Sequence, residues 1–179
     1  MHEHVTIQRY LDVALTPERV REIDGIFFES SNTKSFESDA AGAAFRERWL
    51  GRYLTRDPAF AYLALGDNET VVGYLVGAID DPAKTERFGD IGYFATLAEQ
   101  TKQFPAHLHV NISPAFRGRG IGGRMIDRFA RDAKAAGAPG VHVVRGADAA
   151  NVGFYNRNGF EEVARAGTGG GLVFLARAL

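Results

Sequence analysis

A six-residue turn between a predicted strand and a predicted helix has the composition of an anion-binding segment, Arg117-Gly118-Arg119-Gly120-Ile121-Gly122. Glycine lets the chain turn sharply and brings unshielded backbone close to a ligand. The first turn of a helix has N–H groups without partners and a partial positive charge. Arginine side chains add charge-assisted hydrogen bonds to phosphate oxygens. The turn therefore predicts a binding site for a phosphate or a diphosphate.

Two other interpretations of this turn stay open. One is a glycine-rich connector without a ligand. The other is a dinucleotide-binding fold, because Gly118, Gly120 and Gly123 satisfy the pattern G-x-G-x-x-G. That fingerprint expects an acidic residue about 20 positions further on to hold the ribose. The corresponding stretch has no acid and holds Arg145, which suits a 2′-phosphate. Too little chain follows for the remaining strands of a doubly wound sheet, so the topology disfavours this interpretation.

The turn also resembles the coenzyme A-binding motif of the GNAT acetyltransferases, R/Q-x-x-G-x-G/A, with Arg117, Gly120 and Gly122 at the matching positions. Residues 151–160, NVGFYNRNGF, are similar to the second signature of that family, N-x-x-A-x-x-x-Y-x-x-x-G-F, in loose form. The resemblance is strong over residues 107–179 and only architectural before them. The phrase FPAHLH at 104–109 is also similar to bacterial acetyltransferases that resemble the acetyltransferase-like domain of O-GlcNAcases.

The resemblance implies acetyl-CoA as a co-substrate, with no metal. Main-chain groups of Val110 and Ile112 would pair with the pantetheine arm, which would lie between the predicted strand 107–112 and the next strand. Asn151 would contact the arm or shape its channel. Backbone amides of the turn would hold the diphosphate, in the stretch Arg117, Gly118, Arg119, Gly120, Ile121 and Gly122.

Tyr155 would protonate the departing thiolate in such a protein. It follows Asn151 by four residues, which places both on the same helix face. The alternative for Tyr155 is a half-buried tyrosine of the core. Phe154 departs from the family pattern, which has a small residue at this position, and is expected to narrow the channel near the pantetheine.

The general base has several candidates. His109 and His107 lie on the polar face of a predicted strand, and histidine titrates near neutral pH. Glu29 is a further candidate, since the loop between the first two helices borders the acceptor site in relatives. A water relay without a dedicated base is the fourth. The alternative for the histidines is that they pair with backbone or are exposed.

The acceptor is an amine of unspecified type, a small molecule or a peptide. Its pocket would be built from the first two helices, their connecting loop and the segment 80–104, which we interpret as a variable insertion. These regions are rich in aromatic and acidic side chains that suit a cationic amine: Phe27, Phe28, Phe36, Trp49, Tyr93 and Phe94, with Glu29, Glu37, Asp39, Asp90 and Glu99. Each residue by itself is better explained as core or solvated surface.

The elements that must position these residues follow from the apolar spacing. Thr16 is a predicted N-cap with Pro17 at the first helical position, and Val20, Ile23, Ile26 and Phe27 follow at helical spacing. In the second half a helix ends near Ala136 and Asp148 is expected to cap a shorter one. The other predicted elements are a helix at 39–54, with Phe45 and Trp49 on one face, and strands at 5–13, 60–65, 70–79, 107–112, 141–144, 161–166 and 172–179.

This order predicts an α/β protein. The resemblance makes it one GNAT domain over residues 1–179, with the acetyl-CoA motifs in 107–179. Its mixed, mostly antiparallel sheet would have about seven strands, with splayed central strands and about four flanking helices.

Composition sets the remaining bounds. The chain has 179 residues, 21 basic and 22 acidic side chains, a formal net charge of −1 and no cysteine. The charge balance argues against nucleic acid or an anionic membrane as partners. The lack of cysteine excludes disulfides, Cys-ligated metals and thiol catalysis. A polar beginning and the absence of a long apolar run favour a cytoplasmic protein. A monomer or a homodimer is expected. The function is amine acetylation, or else acetyl-CoA or CoA binding by a module without turnover.

Overall fold

A computed structural model of the protein describes residues 4–179. Seven strands form one mixed sheet in the order β1-β2-β3-β4-β5-β7-β6. β4 pairs with β5 in parallel, whereas the pairs β1–β2, β2–β3, β5–β7 and β6–β7 are antiparallel. The predicted sheet is therefore confirmed. The strands are β1 (Thr6–Arg9), β2 (Ala61–Leu65), β3 (Val71–Ala78), β4 (Ala106–Ile112), β5 (Gly140–Gly146), β6 (Glu161–Ala166) and β7 (Leu172–Ala178).

The helices follow the predicted order, with more segments than expected. They are α1 (Pro17–Ser30), α2 (Asp39–Arg46), α3 (Arg52–Arg56), α4 (Tyr93–Thr96), α5 (Ala98–Gln103), α6 (Ile121–Ala135) and α7 (Val152–Arg157). No helix within residues 4–179 has the length and apolar character needed to cross a membrane. The chain divides into two compact units. The first unit contains the described residues up to Gly77 together with His109–Phe129. The second unit contains Ala78–Leu108 and Ala130–Leu179.

In the first unit, α1 begins as its sequence predicts. The Thr16 hydroxyl accepts a hydrogen bond from the Arg19 amide at 3.2 Å, and Pro17 occupies the first turn, where no amide hydrogen is needed. Ile23, Ile26 and Phe27 are buried, as their spacing indicates. Val20 is not part of this core, since 37% of its surface remains exposed.

The second predicted helix contains a π-helical turn. This turn, Glu47–Gly51, joins α2 to α3. A π-turn adds one residue to the helical repeat and so rotates the residues that follow it. Phe45, before the turn, packs on Phe27 with ring centroids 5.6 Å apart. Trp49, within it, packs on His109 at 5.6 Å. The helix was predictable from its spacing, whereas the π-turn was not.

The first strand is shorter than predicted. It ends at Arg9, and a 3-10 turn over Tyr10–Asp12 follows, closed by a bond from the Val13 amide to the Tyr10 carbonyl at 3.3 Å. Leu11 in this turn is 61% exposed. Alternating apolar residues continue past the end of β1, but without a partner strand they form a turn. The predicted β2–β3 hairpin is confirmed.

In the second unit, the segment before β4 is part of the core. Phe88, Phe94 and Leu97 from this segment are each buried. Its interpretation as a variable insertion stays a prediction. The β4–β5 ladder is short: Ala106 pairs with Val141 and His107 with His142. Such a short ladder is what the predicted divergence of these two strands requires.

The start of α7 corrects one prediction. Asp148 does not cap this helix; Asn151 is the residue before its first turn. A bond from the Ala149 amide to the Gly146 carbonyl at 3.0 Å closes a tight turn directly after β5. That turn occupies the residues that the sequence assigned to the helix start. Gly159 ends the element with a φ of 83°, as predicted from Asn158-Gly159.

His107 and His142 lie in an aromatic cluster of the second unit. Their rings stack with centroids 5.4 Å apart, and His142 also stacks on Phe174 at 4.5 Å. His107 is only 3% exposed, so its candidacy as an accessible general base is wrong, although it alternates with His109 along β4 as predicted. Phe88 and Phe94 cover it at 4.8 and 5.7 Å.

Burial of His142 predicts a pH-dependent stability. Desolvation lowers the pKa of His142 from 6.5 to about 4, although the Phe104 carbonyl accepts a bond from Nδ1 at 2.5 Å and opposes the shift, as does Asp81. The neutral ring is therefore the folded form. Above pH 6.5 this group does not affect the free energy of unfolding. As the pH falls from 6.5 to 4, only the unfolded chain gains the proton, and about 3 kcal/mol of stability is lost.

Urea unfolding between pH 4 and pH 8 measures this loss. His142→Phe keeps an aromatic ring in the stack and cannot titrate, so its free energy of unfolding should vary less over the acidic range. Substituting the exposed His4 by Gln is the matched control and should leave the parent's pH dependence intact. A parent-like slope in His142→Phe would assign the acid sensitivity to other groups.

Candidate active site

Two glycines of the glycine-rich turn have a left-handed backbone conformation. Gly118 and Gly120 have φ values of 74° and 73°, which side chains rarely permit. A Cβ atom at either position would meet no atom within 4 Å, so conformation, and not crowding, requires glycine there. A bond from the Ser113 amide to the Val72 carbonyl at 2.9 Å holds the chain to β3 directly after β4, four residues before the turn.

The amide hydrogens of this turn are available to a ligand. The first backbone bond of α6 runs from the Arg124 amide to the Gly120 carbonyl at 3.1 Å. The amides before it find no acceptor within residues 4–179; they are those of Gly118, Gly120, Ile121, Gly122 and Gly123. Because these donors lie in one turn at a helix start, the arrangement suits the oxygens of a phosphate or diphosphate.

Both arginines of the turn form hydrogen bonds to residues that precede it in the chain. Arg117 Nε donates to the Ile112 carbonyl at 2.9 Å, and its Nη2 lies 3.5 Å from the Ser30 hydroxyl. Arg119 Nη2 donates to the Ala115 carbonyl at 2.9 Å, with the guanidinium 4.7 Å from the centre of the Phe116 ring. Both side chains are exposed. Their predicted contacts with phosphate stay a prediction.

His109 lies in the middle of β4, at the residue where the chain re-enters the first unit, and its side chain is half-buried. Its Nε2 is 3.3 Å from the Tyr53 hydroxyl, and the tautomer of the ring decides which of the two donates. The Trp49 and Tyr53 rings meet it edge-on at 5.6 and 5.3 Å. Further along the strand, Val110 is buried and Ile112 half-buried. Glu29, another candidate base, is exposed on α1.

Tyr155 lies on α7 of the second unit with no exposed surface. Arg145 Nη2 donates to its hydroxyl oxygen at 3.0 Å, since a guanidinium has hydrogens to give and no lone pair to accept. The hydroxyl hydrogen of Tyr155 therefore remains, and it has no acceptor in the part of the chain that the structure describes. Leaving a buried donor unsatisfied costs about 1–3 kcal/mol, so a ligand acceptor is the natural partner.

Asn151 shows the same feature one helical turn earlier. Its Oδ1 is buried and has no hydrogen-bond partner among residues 4–179. Its carbonyl accepts the Tyr155 amide hydrogen at 3.2 Å, which ties the two residues to the same turn. The structure thus places an unsatisfied acceptor and an unsatisfied donor four residues apart. This pattern fits the amide groups and sulfur of a pantetheine arm. Phe154, between them, is half-buried and packs edge-on against Tyr155 at 5.1 Å.

Sequence reasoning missed three side chains of these sites. The sequence indicates Arg145 only as a contact for a 2′-phosphate, and it places neither Tyr53 nor Trp49 beside His109. No local signal marks such pairs, because Tyr53 and His109 are far apart in sequence. The unsatisfied hydrogen of Tyr155 likewise becomes evident only when all of its neighbours are known.

A family model described as acetyltransferase (GNAT) family matches residues 18–160. The chain belongs to the GNAT acetyltransferase family. The match includes the glycine-rich turn, Asn151 and Tyr155. It confirms the predicted resemblance to this family.

Solved structures share the GNAT fold along nearly the whole chain. SsHAT is 20% identical with a TM-score of 0.73, and the match covers 97% of this chain and 98% of that one. An agmatine N-acetyltransferase is 15% identical with a TM-score of 0.67, covering 98% and 99%. The PaiA N-acetyltransferase from Thermoplasma acidophilum, in complex with coenzyme A, is 14% identical with a TM-score of 0.62, also covering 98% and 99%. At these identities the likeness establishes the fold alone.

Proposed function

We propose that this GNAT-family protein transfers the acetyl group of acetyl-CoA directly to an amine acceptor. The observation that carries the proposal is the buried hydroxyl hydrogen of Tyr155, which has no acceptor among residues 4–179. A donor held in this way is suited to giving its proton to a leaving group. The spacing of Asn151 and Tyr155 and the open amides of the glycine-rich turn support the same conclusion.

The residues present fit acetyl-CoA in three places. Amides of the turn from Gly118 to Gly123 would receive the diphosphate. Main-chain groups of Val110 and Ile112 would pair with the pantetheine arm. The Ile112 carbonyl already accepts from Arg117, but a carbonyl oxygen has a second lone pair. The Oδ1 of Asn151 would accept a hydrogen from an amide of the arm. When bound, acetyl-CoA supplies an acetyl group activated as a thioester.

Two side chains of the protein would move protons. The His109 ring accepts the proton that the amine loses as its nitrogen bonds to the acetyl carbon. Tyr155 donates its hydroxyl hydrogen to the sulfur as the carbon–sulfur bond breaks, so the products are an acetylated amine and a free thiol. His109 is preferred to His107, which is enclosed by aromatic rings, and to the exposed Glu29.

Release of free thiol tests the proposed reaction. The protein is incubated with acetyl-CoA and amines of different classes: an arginine-derived diamine such as agmatine, a polyamine, free amino acids and a peptide with a free amino terminus. We expect thiol release above the rate without protein, with acetylated amine in equal amount. Tight CoA binding with no thiol release for any amine would instead favour a binding module without turnover.

Asn151→Ala separates binding from stability. Removing a buried acceptor that has no partner should change the free energy of unfolding of the unliganded protein by less than about 1 kcal/mol. The same change should weaken CoA binding by about two- to tenfold, the value of one neutral hydrogen bond. Urea unfolding and calorimetric titration with CoA measure the two effects. Unchanged CoA affinity would remove Asn151 from the binding site.

A further inference from the structure

Arg145 is fixed against Tyr155 by its place at the end of β5. In the β5–β7 ladder Arg145 pairs with Val173, and the chain after it is held by a bond from the Ala147 amide to the Gly171 carbonyl at 2.9 Å. Tyr155 is held in turn by a bond from the Phe160 amide to its carbonyl at 3.1 Å. Arg145 and Tyr155 both belong to the second compact unit, so their contact lies within a single unit.

We infer that Arg145 is a positioning residue for Tyr155: its guanidinium directs the hydroxyl hydrogen away from itself and stabilises the oxygen after that hydrogen leaves. The inference rests on the proposed function, in which Tyr155 is the acid. Arg145 Nη2 lies 3.0 Å from the Tyr155 oxygen, and its guanidinium carbon lies 5.5 Å from the centre of the Tyr155 ring.

The direction of the hydrogen follows from the chemistry of arginine. A guanidinium has only donors, so the lone pair of the Tyr155 oxygen that faces Arg145 is occupied. The hydroxyl hydrogen must then point elsewhere, and its orientation is set before any ligand arrives. A hydroxyl without such a neighbour would rotate among several directions.

The contact also strengthens during proton transfer. Once Tyr155 gives up its hydrogen, the oxygen becomes negative and the bond from Arg145 joins two opposite charges. A positive guanidinium attracts a negative oxygen more strongly than it attracts a neutral hydroxyl. An interaction that is stronger in the transition state than in the ground state raises kcat without tightening substrate binding.

A second tyrosine lies close to the same guanidinium and stays neutral. Tyr93 on α4 is close enough for Arg145 to act on its titration. Burial is the larger effect and raises the pKa of Tyr93 to about 12. Tyr93 therefore stays a neutral phenol at ordinary pH and provides no negative charge to Arg145.

The test is a double-mutant cycle of Arg145 and Tyr155 in the full-length protein. Arg145→Met should lower kcat about 10- to 100-fold, the value of a hydrogen bond to a charged group, with the KM for acetyl-CoA within about twofold of the parent. Arg145→Lys, which keeps the charge, should recover part of this loss. In a Tyr155→Phe background, Arg145→Met should change kcat less than about twofold, because the group through which it acts is gone.

A binding measurement gives a readout that needs no turnover. The hydroxyl hydrogen should bond to the CoA sulfur, so the parent should bind CoA about two- to tenfold more tightly than desulfo-CoA. That preference should disappear in Tyr155→Phe and shrink in Arg145→Met. Arg165→Met is the matched control: Arg165 is exposed on β6 and pairs with Glu162, and its loss should change neither kcat nor the preference.

The outcomes separate this inference from the proposed function. If Tyr155→Phe is fully active, both fail together. If Tyr155→Phe loses activity while Arg145→Met does not, only the inference fails. Equal losses from Arg145→Met in the presence and absence of the Tyr155 hydroxyl would also overturn it. If Arg145→Met does not fold, Arg145→Lys and Arg145→Gln take its place: the first keeps the charge and the second keeps a neutral donor.

Discussion

Gly120→Glu is expected to weaken binding of acetyl-CoA by about 100-fold or more while the protein remains folded. The backbone at Gly120 has a φ of 73°, and a side chain there would extend into open space beside the free amides of the turn. A carboxylate at this position repels a diphosphate, and close like charges cost several kcal/mol. Calorimetric titration with acetyl-CoA, together with a thermal melt, measures both parts of the expectation.

Two control variants separate charge from backbone strain. Gly169, in the turn between β6 and β7, has a φ of 63° and the same open surroundings. Gly169→Glu therefore introduces the same side chain with the same strain, about 1 kcal/mol, and should leave acetyl-CoA affinity unchanged. Gly120→Ala adds strain at the turn without charge and should fall between the parent and Gly120→Glu. Parent-like affinity in Gly120→Glu would show that the diphosphate binds elsewhere.

Tyr155→Phe is expected to lower kcat about 100-fold and to change the affinity for acetyl-CoA only a few-fold. Proton transfer by a positioned side chain contributes about 10²- to 10⁴-fold to rate. The phenyl ring keeps the packing on Phe160, whose ring centre lies 5.5 Å away. The variant leaves Arg145 Nη2 without this acceptor, so a loss of about 1–3 kcal/mol in stability is also expected.

Steady-state kinetics with the best amine acceptor measure the effect on kcat and KM. Tyr62→Phe is the matched control, because Tyr62 is a fully buried tyrosine on β2 with the Arg128 guanidinium 5.9 Å from its ring centre. This variant should lose stability at most and keep the parent's kcat. Equal kcat for Tyr155→Phe and the parent would leave Tyr155 as a residue of the core.

The local elements of the fold could be predicted because their signals lie within a few residues. Thr16 and Pro17 mark the start of α1 by supplying an acceptor and omitting a donor where the helix needs each. The apolar residues of α6 recur at helical spacing, and Ile121, Met125 and Phe129 are all buried. The glycine-rich turn could also be predicted from nearby residues, because the positive φ values of Gly118 and Gly120 are a local requirement for glycine.

Errors in the sequence-based predictions occur where distant residues decide. His107 continues a clean alternation along β4, yet Phe88 and Phe94 from another segment cover it. The strand predicted beyond Arg9 becomes a turn. A period of two residues indicates which side chains share a face, but it does not reveal what packs against that face.

The sequence by itself determined the order of the elements, the glycine-rich turn and the membership of Asn151 and Tyr155 in one motif. Only the tertiary structure decided that Arg145 donates to Tyr155, that the Tyr155 hydroxyl retains a hydrogen without an acceptor, and that Tyr53 lies beside His109. The reason is physical. Turns and caps are satisfied by neighbours in the chain, whereas the state of a buried polar atom depends on every group that folding brings within hydrogen-bond distance.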